Sequence, residues 1–336
     1  MSLRVGLCGL GEIGQHHLAA IRSSEHAELA AVCELDSELA AAGAPEAPHH
    51  SSVPEMLANE SLDVVDVCLP HSLHREVALE ALEAGCHVLV EKPLAIGTGA
   101  CDELAATARD RGRHVAVSHN QLFFAPHERA AELLASGEIG ALRAIYGRVW
   151  IGGRYGGWRE DPEQVGGGLL MDAGFHRVYM LRALGGPVAS VTATMDRPRA
   201  EESFTLALEF ANGASGVAQG SYHGPEGTFD DRLDIVGEAG MVQVAGCEAF
   251  FEGDLRDVPQ LRSRLEGEWR DEDVTGSWDA SVAASVHSVL ASFAAGEAPR
   301  VDAAAGREAI ALVEAAYRSA ESGERVPVGE LGGPAP

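Results

Sequence analysis

The chain has 336 residues, 46% of them hydrophobic and 23% charged, enough apolar material for two ordinary domains with cores of their own. Its formal charge of -26 sets up a long-range field that repels phosphate and argues against nucleic acid or an anionic membrane as a partner. Six cysteines, at 8, 33, 68, 86, 101 and 247, stand at no metal-ligand or redox spacing. With no long apolar run and no signal-like start, this pattern predicts a cytoplasmic protein with buried thiols and no metal.

Up to about residue 120, strands near 3–8, 28–34, 63–69, 87–91 and 114–118 alternate with helices over 12–23, 73–84 and 99–111. That alternation predicts an α/β domain over 1–120, a parallel sheet with helices on both faces. A helix over 126–136 stops at Gly137, and the pattern then changes. Runs rich in Val, Ala, Thr and Phe follow at 143–151, 188–195, 203–210, 214–222, 232–236 and 241–244. Short turns such as Asn212-Gly213 separate several of them, which predicts neighbouring antiparallel strands of a second sheet. Helices are predicted over 170–184, 279–295 and 303–322, and a frayed tail after Val328. The second domain, 121–336, is therefore expected to be α+β.

Gly9-Leu10-Gly11-Glu12-Ile13-Gly14 stands between the first strand and the first helix, the context in which a GxGxxG pattern signals a dinucleotide. Such glycines allow a tight turn and close approach of backbone to a pyrophosphate, which the helix N-terminus attracts. Twenty residues beyond Gly14, Glu34 ends the second strand, where its carboxylate suits the adenosine ribose hydroxyls. It is otherwise a surface glutamate. Asp36 follows and no arginine lies within 34–38, so a 2′-phosphate would meet repulsion and NAD is expected over NADP.

Of 25 cationic residues, one is lysine: Lys92, in Val88-Leu89-Val90-Glu91-Lys92-Pro93. A compact ammonium does what a planar guanidinium does not, although one lysine can also survive compositional drift by chance. Placed at the carboxyl end of a parallel strand, it would lie near the nicotinamide. A second constellation is Gly166-Gly167-Gly168-Leu169-Leu170-Met171-Asp172-Ala173-Gly174-Phe175-His176. On a helix, Asp172 and His176 share a face. Taken alone, such a pair is more often an N-capping aspartate with an incidental neighbour. Trp150 to Arg159 concentrates aromatic, basic and glycine residues; Tyr155 and Trp158 would suit a sugar ring, and Arg154 and Arg159 its hydroxyls or an attached acid. A structural turn filled by its tryptophans fits that segment equally well. His119, His127 and His223 are further pocket candidates, each more often structural.

Together these elements resemble the Gfo/Idh/MocA oxidoreductase family over nearly the whole chain: a Rossmann domain, the Glu91-Lys92-Pro93 tripeptide, the glycine-led DxGxH, and Ser136-Gly137-Glu138-Ile139-Gly140 at the junction. The resemblance implies an NAD-dependent dehydrogenase of a secondary alcohol on a sugar, sugar derivative or cyclitol. It implies that Lys92 polarises the hydroxyl, His176 acts as base, and Asp172 binds substrate. Gly9, Gly11, Glu12, Ile13, Gly14, Glu34, Leu69, Pro70, His74, Glu91, Lys92 and Asn120 are implied to serve the cofactor. It also implies a homodimer or homotetramer assembled through the second sheet. Two segments depart from the family pattern. Leu69-Pro70-His71-Ser72-Leu73-His74 keeps Pro70 and His74 but has Leu and His on either side of the proline where many members have Thr-Pro-Asn, and Asn120-Gln121-Leu122-Phe123-Phe124-Ala125-Pro126 lacks the usual arginine. The alternatives are a glycosidase or epimerase that recycles its NAD, or a non-catalytic dinucleotide sensor.

Overall fold

Apolar residues at consecutive rather than alternate positions mark strands buried on both faces. The computed structural model, which describes residues 2–246 and 259–329, contains four strands of this kind. They belong to a first compact unit formed by the chain up to Asn120 together with Asp279–Ile310. Its elements are β1 (Leu3–Cys8), α1 (Glu12–Ser23), β2 (Ala27–Cys33), α2 (Ser37–Gly43), β3 (His49–His50), α3 (Val53–Asn59), β4 (Val64–Val67), α4 (His71–Glu83), β5 (His87–Glu91), α5 (Thr98–Arg111) and β6 (Val115–Ser118). The strands pair in parallel in the order β3-β2-β1-β4-β5-β6. Strand order reverses between β1 and β4, and ligands of doubly wound sheets bind beyond the carboxyl ends there.

The sequence does not predict α2, β3 or α3. Each helix has seven residues, too few to show a period, and each is set by its cap: Asp36 accepts from the N–H groups of Glu38 and Leu39, Ser52 from that of Glu55.

The second unit comprises Gln121–Trp278 and the chain from Ala311 on. It contains α6 (Ala125–Ala135), β7 (Leu142–Ile151), α7 (Pro162–Val165), α8 (Phe175–Gly185), β8 (Val188–Met195), β9 (Ser203–Phe210), β10 (Ser215–Ser221), β11 (Phe229–Gly237), β12 (Gly240–Ala245), β13 (Leu261–Leu265) and β14 (Glu268–Asp271). With β15 (Val326–Pro327) they form a nine-stranded sheet in the order β14-β13-β12-β11-β7-β10-β9-β8-β15. All pairs are antiparallel except β7 with β10, which the turn pattern alone does not reveal. In β9, Phe204, Leu206, Leu208 and Phe210 point to the core while Thr205, Ala207 and Glu209 are exposed. On β7, Tyr146 and Trp150 stand on the outer face. The inner face is packed by α8, buried along nearly its whole circumference.

Two further helices are α9 (Trp278–Ala295) and α10 (Ala303–Ser322). The sequence predicts one boundary at 120/121, yet residues 279–310 return to the first unit. Phe293 stacks on His87 at 4.8 Å, His287 Nε2 meets Ala20 O at 2.9 Å, and the Val117 N–H donates to Val301 O at 3.0 Å. The period of α9 says that one stripe is buried, not which sheet buries it. Cys247 and the end of the Gly/Pro-rich tail lie outside the described residues.

Candidate active site

In the first unit, β1 ends in a loop built for close approach. Gly9 has φ +91°, and a Cβ on Gly14 would lie 2.1 Å from Gly9 O, so α1 can start this close to β1 only without a side chain there. Gly11, the N-cap of α1, gives its first turn no side-chain cap, and open space surrounds the place of its missing Cβ. Bare first-turn N–H groups beside open space fit the pyrophosphate of a dinucleotide. Glu12 is exposed and Ile13 half-buried in that turn. Glu34 ties the loop: Oε2 accepts from Leu10 N at 2.8 Å and Oε1 from Asp36 N at 3.1 Å. Each oxygen keeps a second lone pair, so the carboxylate can brace the loop and still accept from a ribose.

Lys92 follows β5 and is half-buried. Beneath it Glu91 accepts from the Lys92 N–H at 3.0 Å, and its other oxygen lies 3.1 Å from Nε2 of the fully buried His17. Nδ1 of His17 meets Asp66 on β4 at 2.8 Å. Burial opposes a charge on His17, but the charges and hydrogen bonds of Asp66 and Cys68 together hold the pKa well above 6.5. Burial likewise opposes a charge on Glu91, and the His17 hydrogen bond and charge keep its carboxyl below its usual range. Cys68 completes the group: ligand atoms of His17, Asp66 and Cys68 lie within 4.8 Å of one another. Its thiol, 3.8 Å from Asp66, is pushed up to about 12 by burial. These distances are those of a hydrogen-bonded cluster, with both ring nitrogens of His17 already engaged.

In the second unit, the glycine triplet packs tightly on the residues that hold it. A Cβ on Gly167 would lie 2.0 Å from Tyr317 Oη, and one on Gly168 2.3 Å from the Glu201 backbone. Glu201 takes up the next two N–H groups, its backbone O accepting from Leu169 and its Oε1 from Leu170, both at 2.8 Å. Tyr317 Oη donates to the same Oε1 at 3.1 Å. Burial raises the Glu201 pKa to about 6.

The predicted helix 170–184 begins only at Phe175. Asp172 therefore lies in the turn before α8, its N–H bonded to Gly168 O at 3.2 Å and its O accepting from Phe175 N at 3.2 Å. It is 3% exposed. Around its Oδ2 stand Arg159 Nε at 3.4 Å and Tyr222 Oη at 3.5 Å. The Arg159 guanidinium lies over the rings of Trp158 (4.6 Å) and Tyr155 (5.6 Å), and Tyr155 meets Tyr222 edge-on. Arg154, Tyr155, Arg159, Asp172, Glu201 and Tyr222 line one recess. Arg154 is paired with Glu202. His176, half-buried at the start of α8, places Nδ1 2.7 Å from Tyr179 Oη.

Residues 3–119 match the model of the Gfo/Idh/MocA oxidoreductase family, NAD-binding Rossmann fold, and residues 127–243 match that family's C-terminal domain. This chain belongs to the Gfo/Idh/MocA family. A D-xylose 1-dehydrogenase (NADP(+)) from Haloferax volcanii is 31% identical over 339 residues, covering 96% of this chain and 98% of the relative. GenD2 from gentamicin A biosynthesis, solved with NAD, superposes with a TM-score of 0.84 at 25% identity, covering 98% of this chain and 97% of its own. The WlbA dehydrogenase from Bordetella pertussis, solved with NADH and UDP-GlcNAcA, gives 0.81 at 26% identity, covering 98% of both chains.

Within this Gfo/Idh/MocA fold several expected cofactor residues are turned to the protein. His74 is fully buried, with Nδ1 2.7 Å from Pro93 O and Nε2 2.8 Å from Leu69 O, so it clamps Leu69-Pro70 to the lysine tripeptide and offers no free nitrogen to a nucleotide. Asn120, 4% exposed, donates to Ser281 Oγ at 3.0 Å. His127 is buried beside Gln121 O, its pKa lowered to about 3 by burial and then by Arg177, which makes it a neutral structural residue. His223 is exposed and 3.5 Å from Glu202. Where the family's arginine is missing, Gln121 donates to Asp231 at 2.9 Å, and the buried Arg177 contacts both Gln121 and Asp231. Sequence reasoning passed over His17, Asp66, Tyr179, Glu201, Tyr222 and Tyr317, which no local motif marks.

Proposed function

We propose that this chain is a dehydrogenase of a secondary hydroxyl on a sugar, sugar derivative or cyclitol, in either direction, with NAD preferred over NADP. The observation that carries the substrate class is the recess of the second unit, where a nearly buried carboxylate, Asp172, is ringed by Arg159, Tyr155 and Tyr222. Aromatic faces with a few convergent polar groups suit a polyhydroxylated ring. NAD preference rests on Glu34, Asp36 and Glu38, whose charges oppose a 2′-phosphate; the Haloferax relative, by its name, uses NADP(+).

In the proposed reaction His176 takes the hydroxyl proton at Nε2, the ring nitrogen not facing Tyr179. The Lys92 ammonium stabilises the developing alkoxide, and Asp172 orients the ring by accepting from a neighbouring hydroxyl. A bound nicotinamide supplies the hydride acceptor or donor. In the reverse direction the imidazolium returns the proton. Glu91 and His74 serve by fixing the backbone around Lys92 and Leu69. We further propose a homodimer or homotetramer that covers Tyr146 and Trp150, and a reducing cytoplasmic setting, which the free thiols of Cys8, Cys33, Cys68, Cys86 and Cys101 suit. No helix among the described residues is long and apolar enough to cross a membrane.

The test is NADH and NADPH formation with D-xylose, D-glucose, methyl glucosides, uronic acids, amino sugars and inositols. Turnover with one substrate group and a higher kcat/KM for NAD supports the proposal. Tight NAD binding without turnover on any of them overturns it.

A further inference from the structure

We infer that Cys8 and Cys33 are a peroxide-sensitive dithiol: they close to a reversible disulfide at the root of the glycine loop and so loosen the dinucleotide site. The inference goes beyond the dehydrogenase proposal and needs only the family's dinucleotide-binding fold.

Cys8 ends β1 and Cys33 ends β2, and in this parallel pair the two are register partners. Register partners present their side chains to one face of the sheet. Neighbouring strands lie about 4.8 Å apart, inside the roughly 4.4–6.8 Å that separates the Cα atoms of a disulfide. The two thiols already touch, through a hydrogen bond. The other described thiols, Cys68, Cys86 and Cys101, lie outside the strands.

The partners divide the chemistry between them. Cys33 is half-buried and Cys8 fully buried, so an oxidant from solvent meets Cys33 first. Donation by Cys8 brings the Cys33 thiol below 9.0 against the effect of burial, while the same bond, with burial, holds Cys8 well above that value. The Cys33 thiolate attacks one oxygen of hydrogen peroxide: an S–O bond forms, the O–O bond breaks, and hydroxide leaves, taking up the proton that the thiol released to become water. The Cys8 sulfur then attacks the resulting sulfenic acid; the S–S bond forms, the S–O bond breaks, and the hydroxyl departs with the Cys8 proton as a second water. Two thiols lose two electrons, and one peroxide gains them. A dithiol reductant reverses the step by exchange.

Bonded sulfurs stand about 2.05 Å apart, closer than hydrogen-bonded ones, so closure draws the two strand ends together. Those ends carry the residues expected to hold the nucleotide: Gly9 N donates to Cys33 O at 2.9 Å, and Glu34 Oε2 accepts from Leu10 N at 2.8 Å. The loop has little slack to absorb the change, since a Cβ on Gly14 would lie 2.1 Å from Gly9 O.

The experiment treats the reduced full chain with hydrogen peroxide, blocks the remaining thiols, and maps bridges after digestion with trypsin and a glutamate-specific protease, because one tryptic peptide carries both Cys33 and Cys68. The bridge should join Cys8 to Cys33. Calorimetric titration with whichever of NAD and NADP binds the reduced protein more tightly should show Kd raised about tenfold or more by oxidation and restored by dithiothreitol. In Cys33→Ser, peroxide should leave Kd within about twofold. Absence of the bridge, a bridge from either cysteine to Cys68, a Kd that the bridge does not change, or an equal rise in Cys33→Ser overturns the inference. Wild type alone decides if the variant does not fold. The measurement reads binding without turnover, so its failure is distinct from failure of the dehydrogenase proposal, which the coenzyme assay decides.

Discussion

His17 grips Asp66 and Glu91 with opposite sides of one buried ring, Nδ1 at 2.8 Å from the first and Nε2 at 3.1 Å from the second. Both partners are acceptors, so the ring is doubly protonated, a cation between two carboxylates. Removing it in His17→Ala strands both carboxylates in the core, and loss of such a partner costs about 3–5 kcal/mol. Urea unfolding should show that drop. A difference under about 1 kcal/mol would contradict the imidazolium assignment.

The same group predicts a pH dependence. His17 has a raised folded pKa, so its stabilisation is complete below 6.5 and is lost as pH rises through the higher folded value. Glu91 has a lowered pKa, so its share is complete above 4.5 and is lost as pH falls through its folded value. The stability gap between wild type and His17→Ala should therefore be widest between about pH 4.5 and 6.5 and narrow as the pH rises into alkaline buffer. A gap that widens there would be inconsistent with a charged His17.

Lys92→Arg keeps a positive charge, but its planar fork does not fit the space of an ammonium. We expect NAD binding within about threefold of wild type and turnover lowered by about a hundredfold or more, the loss of a well-aimed charge on the alkoxide. Near-normal kcat would remove Lys92 from the proposed chemistry.

Gly167→Ala places a methyl 2.0 Å from Tyr317 Oη, at the base of the turn that carries Asp172. Overpacking of this sort costs about 1–3 kcal/mol. Tyr317→Phe, by removing the clashing oxygen, should restore part of the melting temperature in the double variant. Additive losses would show that the clash is not the cause.

Glu201→Gln tests the buried carboxyl behind that turn. With a folded pKa raised to about 6 from 4.5, wild type is favoured below 4.5 and loses roughly 2 kcal/mol as pH rises through 6. The amide does not ionise, so the variant should lack this decline. Parallel stability curves from pH 4 to 7 would contradict it.

The glycine loop and the Glu91-Lys92-Pro93 turn were legible in the sequence because their chemistry is local: spacing fixes the geometry within a few residues. Asp172 was expected to share a helix face with His176, and the turn that carries it instead was not legible, because Leu170 in that turn is held by Glu201, 31 residues away, and Glu201 by Tyr317, 116 residues from it. Tyr222, 50 residues from Asp172, was hidden for the same reason. The missing boundary at 279 has a similar origin, since an amphipathic helix states that it has a buried side without naming its partner. His74 was placed by motif among the cofactor contacts, and only the carbonyls at both of its nitrogens reveal it as a clamp.

Lys92, the chain's one lysine, stands half-buried where β5 ends. An amine-directed acylating reagent therefore has a single side chain to find, apart from the α-amino group. Mass spectrometry of the acylated tryptic peptide, with and without nucleotide, would report occupancy of that neighbourhood on the unmutated protein. A composition almost emptied of lysine thus gives the molecule its own chemical reporter, at the residue whose role most needs observing.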